Sequence, residues 1–157
     1  MSRWRPGEAD IEELLAHHDL QLVTGTAADG QPALDRAIHT LASAQTLLDA
    51  DPINSFVLAY DAVRQACTAL LAHQGLRPTS SGGHVAVERA VRAQFGAPFA
   101  PYGGLRRRRN EVEYPSHPDE HVDPDEASEA ISIAESIIES AEKLLPHLQR
   151  FTNRPAL

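Results

Sequence analysis

Four consecutive arginines, Arg106, Arg107, Arg108 and Arg109, lead directly into Asn110, Glu111, Val112, Glu113, Tyr114 and Pro115. A guanidinium keeps its proton at any physiological pH and forms bidentate, charge-assisted hydrogen bonds with carboxylates and phosphates. On a helix turning about 100° per residue, Leu105, Arg109 and Val112 share one face, while Arg106, Arg107 and Asn110 turn elsewhere. Arg109 therefore lies on an apolar stripe, where a lone charge is costly unless it meets a carboxylate, a carbonyl cluster or an incoming phosphate. One reading makes Arg109 and Asn110 an anion-capturing pair, with Arg106, Arg107 and Arg108 steering a polyanion towards them. The other gives Arg109 an internal salt bridge to Asp61 or to a glutamate of the last helix. Both stay open at the level of residues.

Other groups with chemical potential are fewer. Tyr114 has the reach to stack on a base or donate to a phosphate, and its bland alternative is a tyrosine closing a helix ahead of Pro115. Thr79, Ser80, Ser81, Gly82 and Gly83 ahead of His84 form a loop whose free amides at a helix start would suit an anion. With no preceding strand and no lysine this is not a P-loop, and a plain connection, with His84 as a first-turn packing or hydrogen-bonding residue, is the favoured reading. His117 and His121 stand four apart, but Pro118 between them breaks the helix that a zinc pair would need. Cys67 falls on an apolar stripe and reads as an inert buried thiol. Neither a metal nor a cofactor is expected.

The elements that must position these groups read as helices. Apolar residues recur at three- and four-residue steps between Gly- and Pro-containing breaks, and alternating strand patterns are absent. A short first helix is predicted over Asp10 to His18 and a second over about Ala33 to Asp49, with Leu34, Ile38, Leu41 and Leu48 as its stripe. Asp51 followed by Pro52 reads as N-cap and first turn of a central third helix bearing Phe56, Tyr60, Val63, Cys67, Leu70 and Leu71, stopped by Gly75. A fourth carries Val87, Val91 and Phe95 up to Gly96; the arginine helix follows. Asp123, Pro124, Asp125 and Glu126 combine N-cap, first-turn proline and a Glu at N3 reaching back to complete a capping box, and open the last long helix, whose seam is Ala127, Ile131, Ala134, Ile138, Ala141, Leu145 and Leu148. Pro146 should end it, leaving a loose tail over 151–157. The expected class is all-α, an antiparallel bundle of four or five helices forming a single domain over 1–157 with its core at about 10–148.

The chain has 157 residues, a formal charge of -8 and one cysteine. That balance argues against a wholly basic polyanion-binding surface, and from Asn110 to Glu142 every Asp, Glu, Lys or Arg position is acidic. An intramolecular disulfide is impossible, which fits a reducing cytoplasm. No stretch approaches the roughly 18 apolar residues of a membrane span, and the start of the chain, with Arg3, Arg5, Glu8 and Asp10, lacks the apolar core of a signal peptide.

Two segments carry a family likeness. Tyr60, Asp61, Ala62, Val63 and Arg64 through Ala69, Leu70, Leu71, Gly75, Leu76, Arg77, Pro78, Thr79, Gly82, Gly83 and His84, together with the LRRRRNEVEYP run from Leu105, resemble the HEPN superfamily of small all-α domains, in particular its actinobacterial members. Many of these are metal-independent ribonucleases of toxin–antitoxin or defence systems, with an Arg, a polar residue, three spacers and a His facing a second copy across a dimer. The resemblance implies a homodimer that binds RNA or a nucleotide, with an antitoxin or a nucleotidyltransferase as protein partner. It assigns the motif arginine to Arg109, the polar residue to Asn110 and the histidine position to Tyr114. The departure matters because an unperturbed tyrosine, with a pKa of about 10, is a poor base at pH 7. Three functions follow as expectations: an RNA- or nucleotide-binding protein with a degenerate ribonuclease motif, an active endoribonuclease using Tyr114 or a displaced histidine such as His117 or His121, or a non-catalytic interaction partner.

Overall fold

The computed structural model describes residues 6–152. Six α-helices follow in order: α1 (Glu8–Ala16), α2 (Gln31–Leu47), α3 (Pro52–His73), α4 (Gly83–Phe95), α5 (Tyr102–Glu113) and α6 (Pro124–Leu144). Two three-residue strands, β1 (Leu20–Leu22) and β2 (Leu76–Pro78), pair antiparallel with Leu20 opposite Pro78 and Leu22 opposite Leu76. The fold is thus predominantly helical with a minor sheet, rather than a pure bundle of four or five helices. The strands are too short to leave an alternating pattern in the sequence. Among the described residues, no helix is long and apolar enough to cross a membrane.

Helix α3 is the hub because its apolar residues occupy nearly its whole circumference. Phe56, Tyr60, Val63, Cys67, Leu70 and Leu71 are all buried, and α2, α4, α5 and α6 pack around it. Asp51 caps it through Oδ1, which accepts from the Asn54 amide at 3.2 Å, and Pro52 fills the first turn. Gly75, at φ +76°, turns the chain out of the helix into β2. Asp123 caps α6 in the same way, accepting from the Glu126 amide at 2.9 Å. The expected seam of α6 is buried from Ala127 to Leu145, and Pro146 lies in a 3₁₀ turn, Leu145–His147, that ends the helix.

Three expectations need correction. On α2 the buried positions are Leu34, Ala37, Leu41 and Ala44, whereas Ile38 is 42% exposed, so small alanines rather than Ile38 meet α3. Phe151 belongs to the core, not to a loose tail: it is buried, and its amide donates to the Gln74 carbonyl at 2.8 Å. Thr152 is exposed, and the rest of that tail, 153–157, lies outside the described residues. Finally, Glu126 does not reach back to complete a capping box; its carboxylate is held by Arg108.

Candidate anion-binding site

The four arginines have four different fates, set by the turn of α5. Arg106 points at α4, its Nε 3.0 Å from Glu88 Oε2. That approach depends on Gly103, one turn earlier, where a Cβ would stand 2.3 Å from Glu88 Oε1. Arg107 is exposed and makes no ion pair among the described residues. Arg108 is taken up internally by three carboxylates. Its Nε meets Glu126, its Nη1 lies 2.6 Å from Glu120 and 3.1 Å from Glu111, and its Nη2 donates to the His121 carbonyl at 2.8 Å. These contacts tie α5 to the 114–123 connection and to α6, and hold the guanidinium proton well above its ordinary range. Arg108 is therefore a structural clamp with little left for an external phosphate.

Arg109 meets neither Asp61 nor a glutamate of α6. It is half-buried against α3, its guanidinium carbon 5.9 Å from the centre of the Tyr60 ring, and its Nε is buried without a hydrogen-bond partner. Asp61 instead lies 3.8 Å from Arg64. Three buried side-chain atoms lack partners among the described residues: Arg109 Nε, Tyr102 Oη and Gln65 Oε1. Buried polar groups are nearly always paired, and of these three Arg109 Nε lies at the Tyr60 ring whereas Gln65 belongs to the lining of a cleft between α2 and α3.

His84 completes the arrangement. From the first turn of α4 its Nδ1 lies 2.6 Å from the Tyr60 hydroxyl, with the rings 5.7 Å apart, and Tyr102 packs edge-on to Tyr60 at 6.1 Å. Burial raises the Tyr60 hydroxyl pKa, against the pull of Tyr102 and then of the nearby arginines, so Tyr60 remains a donor. Burial first, and then the charges of Arg64 and Arg109, lower the His84 pKa, with Asp61 opposing. A neutral His84 accepting from Tyr60 at Nδ1 carries its proton on Nε2, as a donor. The result is a half-buried group of donors from α3, α4 and α5, namely Arg64, His84 and Arg109, without an acceptor for each.

Other expected site residues fall elsewhere. Asn110 is exposed on α5, and its carbonyl receives the amide of Tyr114, which is 77% exposed at the helix end. Gly82 and Gly83 do not form an open cradle, because their amides already donate to Thr79 Oγ1 at 3.1 Å and Thr79 O at 2.9 Å. Gly82 is required by packing: a Cβ there would stand 2.1 Å from the Asp19 carbonyl oxygen. His117 and His121 are exposed beyond the end of α5. Cys67 is fully buried and its thiol pKa is pushed up by burial. Sequence reasoning named both His84 and Arg109 but did not join them, and it missed Arg64, Tyr60 and Tyr102 as site residues. The one available signal was that both segments bearing the HEPN likeness contain a member of the group.

No family model, no curated protein and no solved structure matches the chain.

Proposed function

We propose that this is an RNA- or nucleotide-binding protein of HEPN-like, toxin–antitoxin or defence type, in which Arg109, Arg64 and His84 capture a phosphate. A single observation carries the reading: Arg109 is held half-buried on the Tyr60 ring with its Nε orphaned, while its neighbour Arg108 is saturated by carboxylates. A phosphate entering there would supply the missing acceptors and would be bound by charge-assisted hydrogen bonds. Arg106 and Arg107 add to the local potential without being primary ligands. The reading includes a symmetric homodimer, for which the exposed Val85, next to His84, and Tyr114, at the end of the arginine helix, supply apolar contact.

Binding of a short single-stranded RNA and of adenosine monophosphate at low salt tests the proposal. Arg109→Ala should lose most of the affinity while Arg108→Ala, kept below its melting transition, retains it. Parent-like binding by Arg109→Ala would overturn the reading.

A second reading, metal-independent RNA cleavage, is favoured by one observation, a histidine bonded to the same Tyr60 whose ring carries Arg109, despite the tyrosine at position 114. His84 would be the displaced proton-transfer group. Cleavage in the presence of a chelator, lost in His84→Ala at RNA concentrations that saturate the variant, would establish it; intact RNA after prolonged incubation would leave binding as the activity.

A further inference from the structure

Helix α3 is apolar around most of its girth, yet one stripe along it is polar: Tyr60, Asp61, Arg64, Gln65 and Thr68, at steps of one and three that keep them on a single face. The lower end of this stripe, Tyr60, lies beneath Arg109. The upper end opens on a cleft of ≈ 360 Å³ lined by Ala33 and Arg36 of α2 and by Arg64, Gln65 and Thr68 of α3. Two features of that cleft point to a ligand. Gln65, which lines the cleft, has its Oε1 buried without a donor, and Arg36, exposed on α2, has no carboxylate partner among the described residues. Arg64 belongs to both regions, since it lines the cleft and its charge bears on His84 and Tyr60. Asp61 is the one acidic group on the stripe, and Arg64 lies against it.

We infer that the cleft between α2 and α3 is a second nucleotide subsite, joined to the Arg109 site through Arg64, so that the ligand is an RNA strand of two or more nucleotides rather than a free mononucleotide. The inference rests on the proposed phosphate site and names its substrate class. One phosphate sits between Arg109 and Arg64 and the next between Arg64 and Arg36. Gln65 Oε1 accepts from the exocyclic amine or imino group of the intervening base, and Thr68 contributes its hydroxyl. Arg64 and Thr68 are one helical turn apart, about 6 Å along the axis, a reach suited to successive units of one strand. Three arginines with an acceptor and a hydroxyl between them are a mixed lining, matching a chain of alternating phosphates and bases better than a bare polyphosphate.

Calorimetric titration of adenosine monophosphate and of tetra-adenylate RNA into the full chain tests this. The parent should bind the tetranucleotide at least about tenfold more tightly than the monophosphate, because a second phosphate and a base edge are engaged. Arg36→Ala lies on an exposed surface and Gln65→Leu removes an unpartnered atom, so both should fold. Each should weaken the tetranucleotide by about five- to tenfold and leave the monophosphate within about twofold. Equal losses for both ligands, or no loss for either, would overturn the second subsite. Arg109→Ala separates the two claims. If it weakens both ligands while Arg36→Ala changes neither, the phosphate site stands and the extended strand falls; if it too changes neither, both fall.

Discussion

Arg108 and Arg109 are identical side chains one residue apart, and the turn of α5 between them decides their roles. Arg108 faces Glu111, Glu120 and Glu126, so its removal leaves three carboxylates facing one another. Arg108→Ala should destabilise the fold by about 1–3 kcal/mol, read by urea denaturation, with ligand affinity unchanged. Arg109→Ala should do the reverse. It removes a guanidinium whose Nε has no partner and loses only the contact with Tyr60, so stability should stay within about 1 kcal/mol while binding is lost. His84 adds a pH signature of known sign. Its folded-state pKa is lowered by burial and by Arg64 and Arg109, so on acidification the unfolded chain takes up this proton first. Its contribution is complete above the unfolded value of about 6.5 and is lost as pH falls from there through the folded value. The stability gap between parent and His84→Gln should therefore narrow below about pH 6.5. A bound phosphate would offset the arginine charges, so the His84 ring titration followed by NMR should move upward on ligand addition.

The helices present these groups through a close approach that leaves no room for a methyl group. Gly82 sets α4 against the Asp19 carbonyl, a backbone atom that cannot swing aside, and so fixes where His84 begins its helix. Gly82→Ala should cost about 1–3 kcal/mol and weaken ligand binding through displacement of His84. Gly104, in α5 with open space around its Cβ position, is the control: Gly104→Ala should raise stability by about 0.5–1 kcal/mol and leave binding alone. Thermal melts of the two variants give opposite signs if the packing is as described. These elements differ in how openly the sequence announces them. Asp51–Pro52 and Asp123–Pro124 mark the starts of α3 and α6 because capping is local chemistry, and the buried seams of both helices are visible as spacing. The β1–β2 pair is not visible, since its register joins residues some 55 positions apart, Leu22 to Leu76 and Leu20 to Pro78, over only three positions each. The site behaves likewise. The arginine run is conspicuous, but which arginine stays unpaired depends on carboxylates from α4, α6 and the connection between α5 and α6. The meeting of His84 with Tyr60 under Arg109 is a product of helix packing alone.

Across the molecule, a formal charge of -8 and a cationic site coexist because opposite charges are distributed unevenly. Glu111 of α5, with Glu120 and Glu126 of the acidic stretch beyond it, neutralises Arg108, while Arg89, midway along α4, is held by Asp10 and Glu13 of α1. Arg36 and Arg109 remain without carboxylates among the described residues, and Arg64 has only a 3.8 Å neighbour in Asp61. With a formal charge of -8 over the whole chain, a polyanion is disfavoured away from unneutralised cations, so binding should be local and the number of phosphates engaged small. Salt dependence measures that number directly: for a single strand, the slope of log affinity against log salt is about -0.7 per neutralised phosphate. Contacts by Arg36, Arg64 and Arg109 to two or three phosphates predict a slope of about -1.4 to -2 for a tetranucleotide. Arg109→Ala should reduce it by about 0.7, and Arg108→Ala should leave it where it was. A slope near zero in the parent would mean that the arginines are not meeting phosphates at all. One far steeper would mean that exposed cations outside the track, Arg107 among them, carry the binding as a diffuse patch.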